Sequence, residues 1–354
     1  METTKRYDAG WLDGLTYDSI LIFGVAIIAL ISGAIVVYDP NLFYPVLLID
    51  VWLLGYHHVI ATFTKLAGTK EDRKENAFLI HWLPFIVLGA VLVLNQTLGI
   101  WSIVTVYFFW QWFHYTRQAY GIGRFYRRKA RLKTDEPEWL THLAIWSIPV
   151  WGLLNRCAQG WEEFLFLPLY VPPVPDRLVM IASFVAVGSV VAWLYYRVRD
   201  FKQGNLSLAE TYFTATHMLI FYVGYIAIPD INAGWLVANV WHNAQYILFV
   251  WLYNTKRFQK ADNEPEPVTV MAWLSQRKPV RILMYFCFTL AATTIFYQSL
   301  SEGFQFVAAG NLVLLSTLYV VGYQTVNFHH YVVDGIIWKA RRKQHQKVMQ
   351  LRAD

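Results

Sequence analysis

The chain alternates long apolar blocks with short polar breaks. The blocks lie near residues 17–37, 42–65, 77–95, 99–122, 139–156, 177–197, 208–228, 232–255, 279–298 and 304–338. A helix needs about twenty apolar residues to cross hydrocarbon, so the pattern predicts an all-α integral membrane protein, a polytopic bundle of about ten transmembrane helices. The bundle forms one transmembrane domain over residues 1–354. The last block is too long for one straight span, and its end, carrying Asp334 and Lys339, is expected to emerge as cytoplasmic helix.

Charge in the breaks tests the assignment, because basic residues collect on the cytoplasmic side. Every second break is basic: Lys5 and Arg6; Lys70, Arg73 and Lys74; the run from Arg124 to Lys133; Arg197, Arg199 and Lys202; Lys256, Arg257, Lys260, Arg277 and Lys278; and Arg341, Arg342 and Lys343. The intervening breaks hold no basic residue apart from Arg156 and Arg177 flanking one of them. This alternation predicts an even number of spans with both termini cytoplasmic, residues 1–16 being a short N-terminal segment and 339–354 a basic tail.

Composition agrees. With 56% hydrophobic and 15% charged residues, the chain departs from soluble domains toward lipid. The net charge of +6 would suggest nucleic acid in a soluble protein, but here it sits in the breaks and orients the chain, so the expected partner is the lipid bilayer and no nucleic acid. Sixteen Trp exceed what interfacial belts require and point to aromatic walls inside the bundle. Cys157 and Cys287 lack the spacing of a disulfide framework or a thiolate metal site. The first block lacks a cleavage site and reads as a span, not a signal peptide. Gly160 to Asp176, with Trp161, Phe164, Phe166 and three prolines, is expected along the outer interface, and Asp262 to Pro267 is a solvated linker. No internal repeat of the transporter kind is evident.

Ionisable residues inside a membrane are costly and mark functional sites. His57 and His58, His114, His217, His242, and His329 and His330 all fall within apolar blocks. Counting about 1.5 Å per residue, His58, His114, His242 and His330 lie roughly 10–20 Å from the cytoplasmic ends of their helices, and His217 reaches the same leaflet. Polar neighbours share their faces: Gln111 and Gln118 with His114; Asn239, Gln245 and Tyr246 with His242; Asn327 and Asp334 with His330. Glu210, two turns before His217, offers a carboxylate.

A lone intramembrane His usually serves helix packing. Adjacent His residues differ by about 100° around the helix, so one of each pair faces the site and the other does not. His81 and His142 begin spans and His345 lies in the tail, where ordinary interfacial or solvated roles suffice. Several helices presenting imidazole at one depth instead predict a metal site. Nitrogen ligands suit iron, copper or zinc. Redox chemistry is a better reason than hydrolysis to bury such a site in lipid, which favours non-haem Fe(II).

The His windows resemble those of the Brp/Blh family, bacterial membrane proteins that cleave β-carotene centrally with O2. The windows are Gly55-Tyr56-His57-His58, Phe113-His114-Tyr115, His242 preceding Phe249-Val250-Trp251, and Phe328-His329-His330 followed by Asp334. Tyr246 stands where that family has a second His. The resemblance implies a non-haem iron dioxygenase of a bacterial cytoplasmic membrane. Its metal ligands would be His58, His114, His242 and His329 or His330.

The functional expectation is an iron oxidoreductase that uses O2 on a lipophilic carotenoid, isoprenoid or acyl-chain substrate, with Tyr115, Tyr246 and Asp334 as catalytic or proton-handling groups. Two alternatives are a haem-binding electron-transfer protein, with axial His pairs, and a proton-coupled transporter.

Overall fold

An apolar chain must satisfy its backbone polar groups internally, and the computed structural model does so with helices. It describes residues 9–130, 134–260, 267 and 269–351. Lys5, Arg6, Arg131, Lys133 and the linker from Asp262 to Glu266 lie outside the described residues.

Fourteen helices among the described residues establish an all-α fold. They are α1 (Leu15–Tyr38), α2 (Pro40–Leu66), α3 (Lys70–Glu75), α4 (Ala77–His81), α5 (Leu83–Leu98), α6 (Ile100–Ala130) and α7 (Glu138–Ala158). Then follow α8 (Asp176–Gln203), α9 (Leu208–Tyr222), α10 (Ile231–Phe258), α11 (Val270–Leu274), α12 (Pro279–Ala308), α13 (Leu312–Ile337) and α14 (Lys343–Met349). Three π-helical turns interrupt the regular pitch: Ile20–Gly24 in α1, Val51–Gly55 in α2, and Val223–Ala227 continuing α9.

Four helices, α1, α2, α8 and α12, are long and apolar enough to cross a membrane. They present broad exposed apolar faces, with only 17% of the apolar stretch of α8 and 22% of that of α12 buried. The other long helices coincide with the remaining blocks but fall short of that standard for physical reasons. The apolar helix α5 is short. Deeper in the bundle, α10 is buried almost throughout from Ile231 to Thr255 and carries His, Asn, Gln and Tyr toward its neighbours.

The last two blocks need correcting at their boundary. Helix α12 runs on to Ala308, where Ala309 and Gly310 take positive φ (47° and 86°) and Asn311 caps α13 by accepting from the Leu314 N–H at 3.0 Å. Helix α13 therefore ends at Ile337, and Asp334 is buried in it rather than emerging.

The polar breaks sort to two ends. At the basic end, Asp13 pairs with Lys256 at 3.0 Å and with Arg277. Asp72 pairs with Arg257 at 2.7 Å, and Lys129 donates to the Met349 carbonyl at 3.4 Å. The first and last described segments thus share this end. At the other end, Gly160 to Asp176 holds a two-residue antiparallel pairing of Glu163–Phe164 with Leu167–Pro168. Phe164 plugs the bundle against Phe108 and Trp235, while Phe166 stays exposed.

Helix α10 is gripped closely here. A Cβ on Gly234 would lie 2.0 Å from the Gly224 carbonyl oxygen and 2.4 Å from Arg156 Nη2. Small residues permit such approach between helices. Buried Arg156 donates to the carbonyls of Gly224, Ile228 and Pro229, in and just beyond the π turn.

Candidate metal centre

Four helices each contribute one imidazole to a common point: His58 from α2, His114 from α6, His242 from α10 and His330 from α13. Their rings form a closed four-membered arrangement. Centroid separations are 5.2 Å for His58 and His242, 4.9 Å for His242 and His114, 5.0 Å for His114 and His330, and 4.7 Å for His330 and His58. All four are buried.

Metal-ligand geometry appears twice, sharing His330. One ligand atom each from His58, His242 and His330 lie within 4.8 Å of one another, and so do those of His114, His330 and Asp334. Asp334 Oδ2 is 3.5 Å from His330 Nε2 and 4.0 Å from His114 Nε2. Among the described residues no hydrogen-bond partner meets either ring nitrogen of His58 or His242, Nε2 of His114 or His330, or Oδ2 of Asp334. Seven buried acceptors or donors without partners at one place are far from the near-complete satisfaction of ordinary interiors.

The surrounding groups orient the rings. Thr62, one turn after His58, has its hydroxyl 2.9 Å from His330 Nδ1 and 3.0 Å from the Tyr246 hydroxyl. Tyr246 donates to Asp334 Oδ1 at 2.6 Å and accepts from Trp338 Nε1 at 2.9 Å. The Tyr115 ring stacks on His242 with centroids 4.1 Å apart, and its hydroxyl donates to Asn239, which in turn donates to buried Asp50. Gln118 donates to the His242 carbonyl at 3.4 Å, and Gln111 accepts from Trp235 at 2.7 Å.

His57, His217 and His329 are not brought to this point. His57 Nε2 meets the Thr289 hydroxyl of α12 at 2.7 Å, and His329 Nε2 meets the Leu79 carbonyl of α4 at 2.8 Å. In each adjacent pair the second residue faces inward, as the turn angle between neighbours requires. His217 Nε2 meets the Ile145 carbonyl at 2.9 Å and its ring packs on Trp241, so α9 covers the flank of α10 beside the one that carries His242. Glu210 stands near Arg127 and Arg197 at 3.8 and 3.9 Å. Asn327 donates to Gln324 at 3.3 Å.

Two residues at the site escape a search for His. Asp50 lies inside an apolar block, and the cost of intramembrane charge that singles out the histidines applies to it equally. Thr62 follows His58 at one-turn spacing.

A cavity of about 350 Å³ descends from the basic end to the cluster. His114, Tyr246 and Asp334 line it together with Phe125, Phe249 and Trp338. Such a volume suits a small molecule.

No family model, curated protein or solved structure matches the chain.

Proposed function

We propose that this chain is a membrane-embedded non-haem iron oxidoreductase acting with O2 on a lipophilic substrate. In this reading about ten helices cross a bacterial cytoplasmic membrane, six of them being too polar or too short to look like spans by themselves. Both termini are cytoplasmic, in keeping with the gathering of basic breaks at one end.

The observation that carries the proposal is the convergence of His58, His114, His242, His330 and Asp334 with inward nitrogens and a carboxylate oxygen left unpartnered. A buried polar atom without a partner costs roughly 1–3 kcal/mol. Several together approach the roughly 5–15 kcal/mol stability of a whole domain. A cation taking one lone pair from each removes most of that cost. Imidazoles with one carboxylate suit iron, with copper and zinc sharing the nitrogen preference. The four rings close on one another at 4.7–5.2 Å, which leaves no planar slot for a macrocycle and favours non-haem metal over haem.

His58, His114, His242 and His330 would hold the ion, with Asp334 beside them. When bound, iron would supply oxygen activation toward an apolar substrate. Thr62 fixes His330 through Nδ1, leaving Nε2 toward the ion. Tyr246 keeps a proton against Asp334 Oδ1 at the cavity floor, and Trp338 and Thr62 hold its hydroxyl in place. Packed aromatic side chains exclude water from the other flanks. The likeness of the His windows to the Brp/Blh family agrees with this chemistry.

Metal analysis of the purified full chain tests the proposal, combined with O2 uptake on carotenoid and lipid extracts and a His242→Ala comparison. Iron near one per chain and O2-dependent product formation lost in His242→Ala are expected. A protein that retains no transition metal under any loading condition overturns it.

A further inference from the structure

The cavity that reaches the His cluster is asymmetric in charge. Arg117, Arg124, Arg128, Lys339 and Arg341 line it. Asp334, at the floor, is the one carboxylate among its lining residues. Arg124 is neutralised by Glu138 at 2.6 Å. Among the described residues Arg117, Lys339 and Arg341 have no carboxylate within ion-pair distance, and Arg117 and Arg341 are exposed. Arg117 lies directly over α13 beside the cluster, its Nε 3.9 Å from where a Cβ on Gly335 would stand.

Phe125, Phe249 and Trp338 line the cavity as well. The cavity thus offers cations to an anion, aromatic walls to apolar surface and the His cluster at its floor. A neutral hydrocarbon has no use for the cationic lining, and a small hydrophilic anion has no use for the aromatic walls.

Resting on the oxidoreductase reading above, we infer that the substrate is an amphiphile with an anionic head group, a carboxylate or phosphate carried on an apolar chain. It enters from the basic end with its head held by Arg117 and Arg341 and its chain against the aromatic walls. Arginine suits this task because its planar fork pairs two oxygens of a carboxylate or phosphate at once.

The test uses the full chain in nanodiscs of neutral phosphatidylcholine, with oleate as probe, oleyl alcohol as its uncharged twin and the double variant Arg117→Gln/Arg341→Gln. Oleate should bind more tightly than oleyl alcohol and lose affinity as salt is raised. In the double variant oleate should weaken by roughly ten-fold, as loss of exposed charge-assisted contacts predicts, while oleyl alcohol stays unchanged. Displacement of oleate by added phosphatidate identifies a bilayer phospholipid as the source of the anionic head. Failure to displace it identifies a single-chain amphiphile. Equal affinity for oleate and oleyl alcohol, or unchanged oleate binding in a monodisperse double variant, overturns the inference. Metal content measured on the same samples separates the two ideas. Absent metal with intact oleate preference removes the redox reading alone, and bound metal without oleate preference removes only this one.

Discussion

Thr62 Oγ1 lies 2.9 Å from Nδ1 of His330, so a hydroxyl on α2 fixes the ring orientation of an imidazole on α13. The same hydroxyl reaches Tyr246 at 3.0 Å, which ties the ring to the carboxylate of Asp334 through a short chain of hydrogen bonds. Partners of this kind set ligand orientation, and their loss typically lowers metal affinity by about 10–100-fold. Thr62→Val keeps the shape and removes the hydrogen bonds. Chelator competition should show iron affinity reduced within that range in a protein that remains monodisperse. Unchanged affinity would show that Thr62 serves packing alone.

The seven candidate histidines should divide cleanly. Ala at His58, His114, His242 or His330 should abolish stoichiometric metal binding. Ala at His57, His217 or His329 should leave metal bound, because these residues meet Thr289, Ile145 and Leu79 instead. Those three variants should instead lose thermal stability, as each removes a buried hydrogen bond worth about 0.5–1.5 kcal/mol. Metal analysis beside thermal unfolding reads both halves. Loss of metal from His329→Ala with retention in His330→Ala would reverse the assignment.

Much of this site is legible in the sequence because an imidazole in an apolar block is conspicuous and its depth can be counted from the helix end. Which residue of each pair points inward is not legible. That depends on helix rotation, and the π turn at Val51–Gly55 shifts the register just before His57 and His58 in a way no periodicity announces. The exclusion of His217 is equally hidden, since it depends on Trp241 rather than His242 meeting α9. The break at Ala309 hides for another reason: a non-glycine residue in the left-handed region stands inside an apolar run. The ten blocks locate the long helices, but length and apolar content together single out only four. Helix α10 is polar because it is central.

Close helix packing makes Gly234 a sensitive position. Ala there places a methyl group 2.0 Å from the Gly224 carbonyl oxygen and 2.4 Å from Arg156. Overpacking of this kind costs roughly 1–3 kcal/mol or more. At Gly303, also helical, an added Cβ would meet nothing within 4 Å. Ala at Gly303 should therefore be neutral or stabilising by up to about 1 kcal/mol through helix propensity. Thermal unfolding of the two variants in one detergent should move in opposite directions, or only Gly234→Ala should fall. Equal behaviour would refute the close contact.

The basic tail supplies a pH-dependent prediction. His345, on α14, is fully buried against Phe125, Tyr253 and Trp338, and its Nδ1 donates to the Lys339 carbonyl at 2.9 Å. It is not the solvated tail residue that its position suggests. Burial pushes its pKa down to about 4, with the Lys339 carbonyl opposing and Lys65, Arg342 and Arg257 adding to the depression. An undocked tail would titrate near the ordinary 6.5, so the undocked state takes up the proton first as pH falls. The docking contribution is therefore complete above about pH 6.5 and is lost progressively down to about pH 4, a swing on the order of 3 kcal/mol. Hydrogen exchange across residues 343–349, corrected for intrinsic rates, should show strong protection at pH 7 and weak protection near pH 4.5. His345→Gln should flatten that dependence while sparing the other helices. Because Trp338 both packs on His345 and walls the cavity, its fluorescence should follow the same transition. Protection that stays constant across this range in the unmodified chain would show that His345 does not govern docking of the tail.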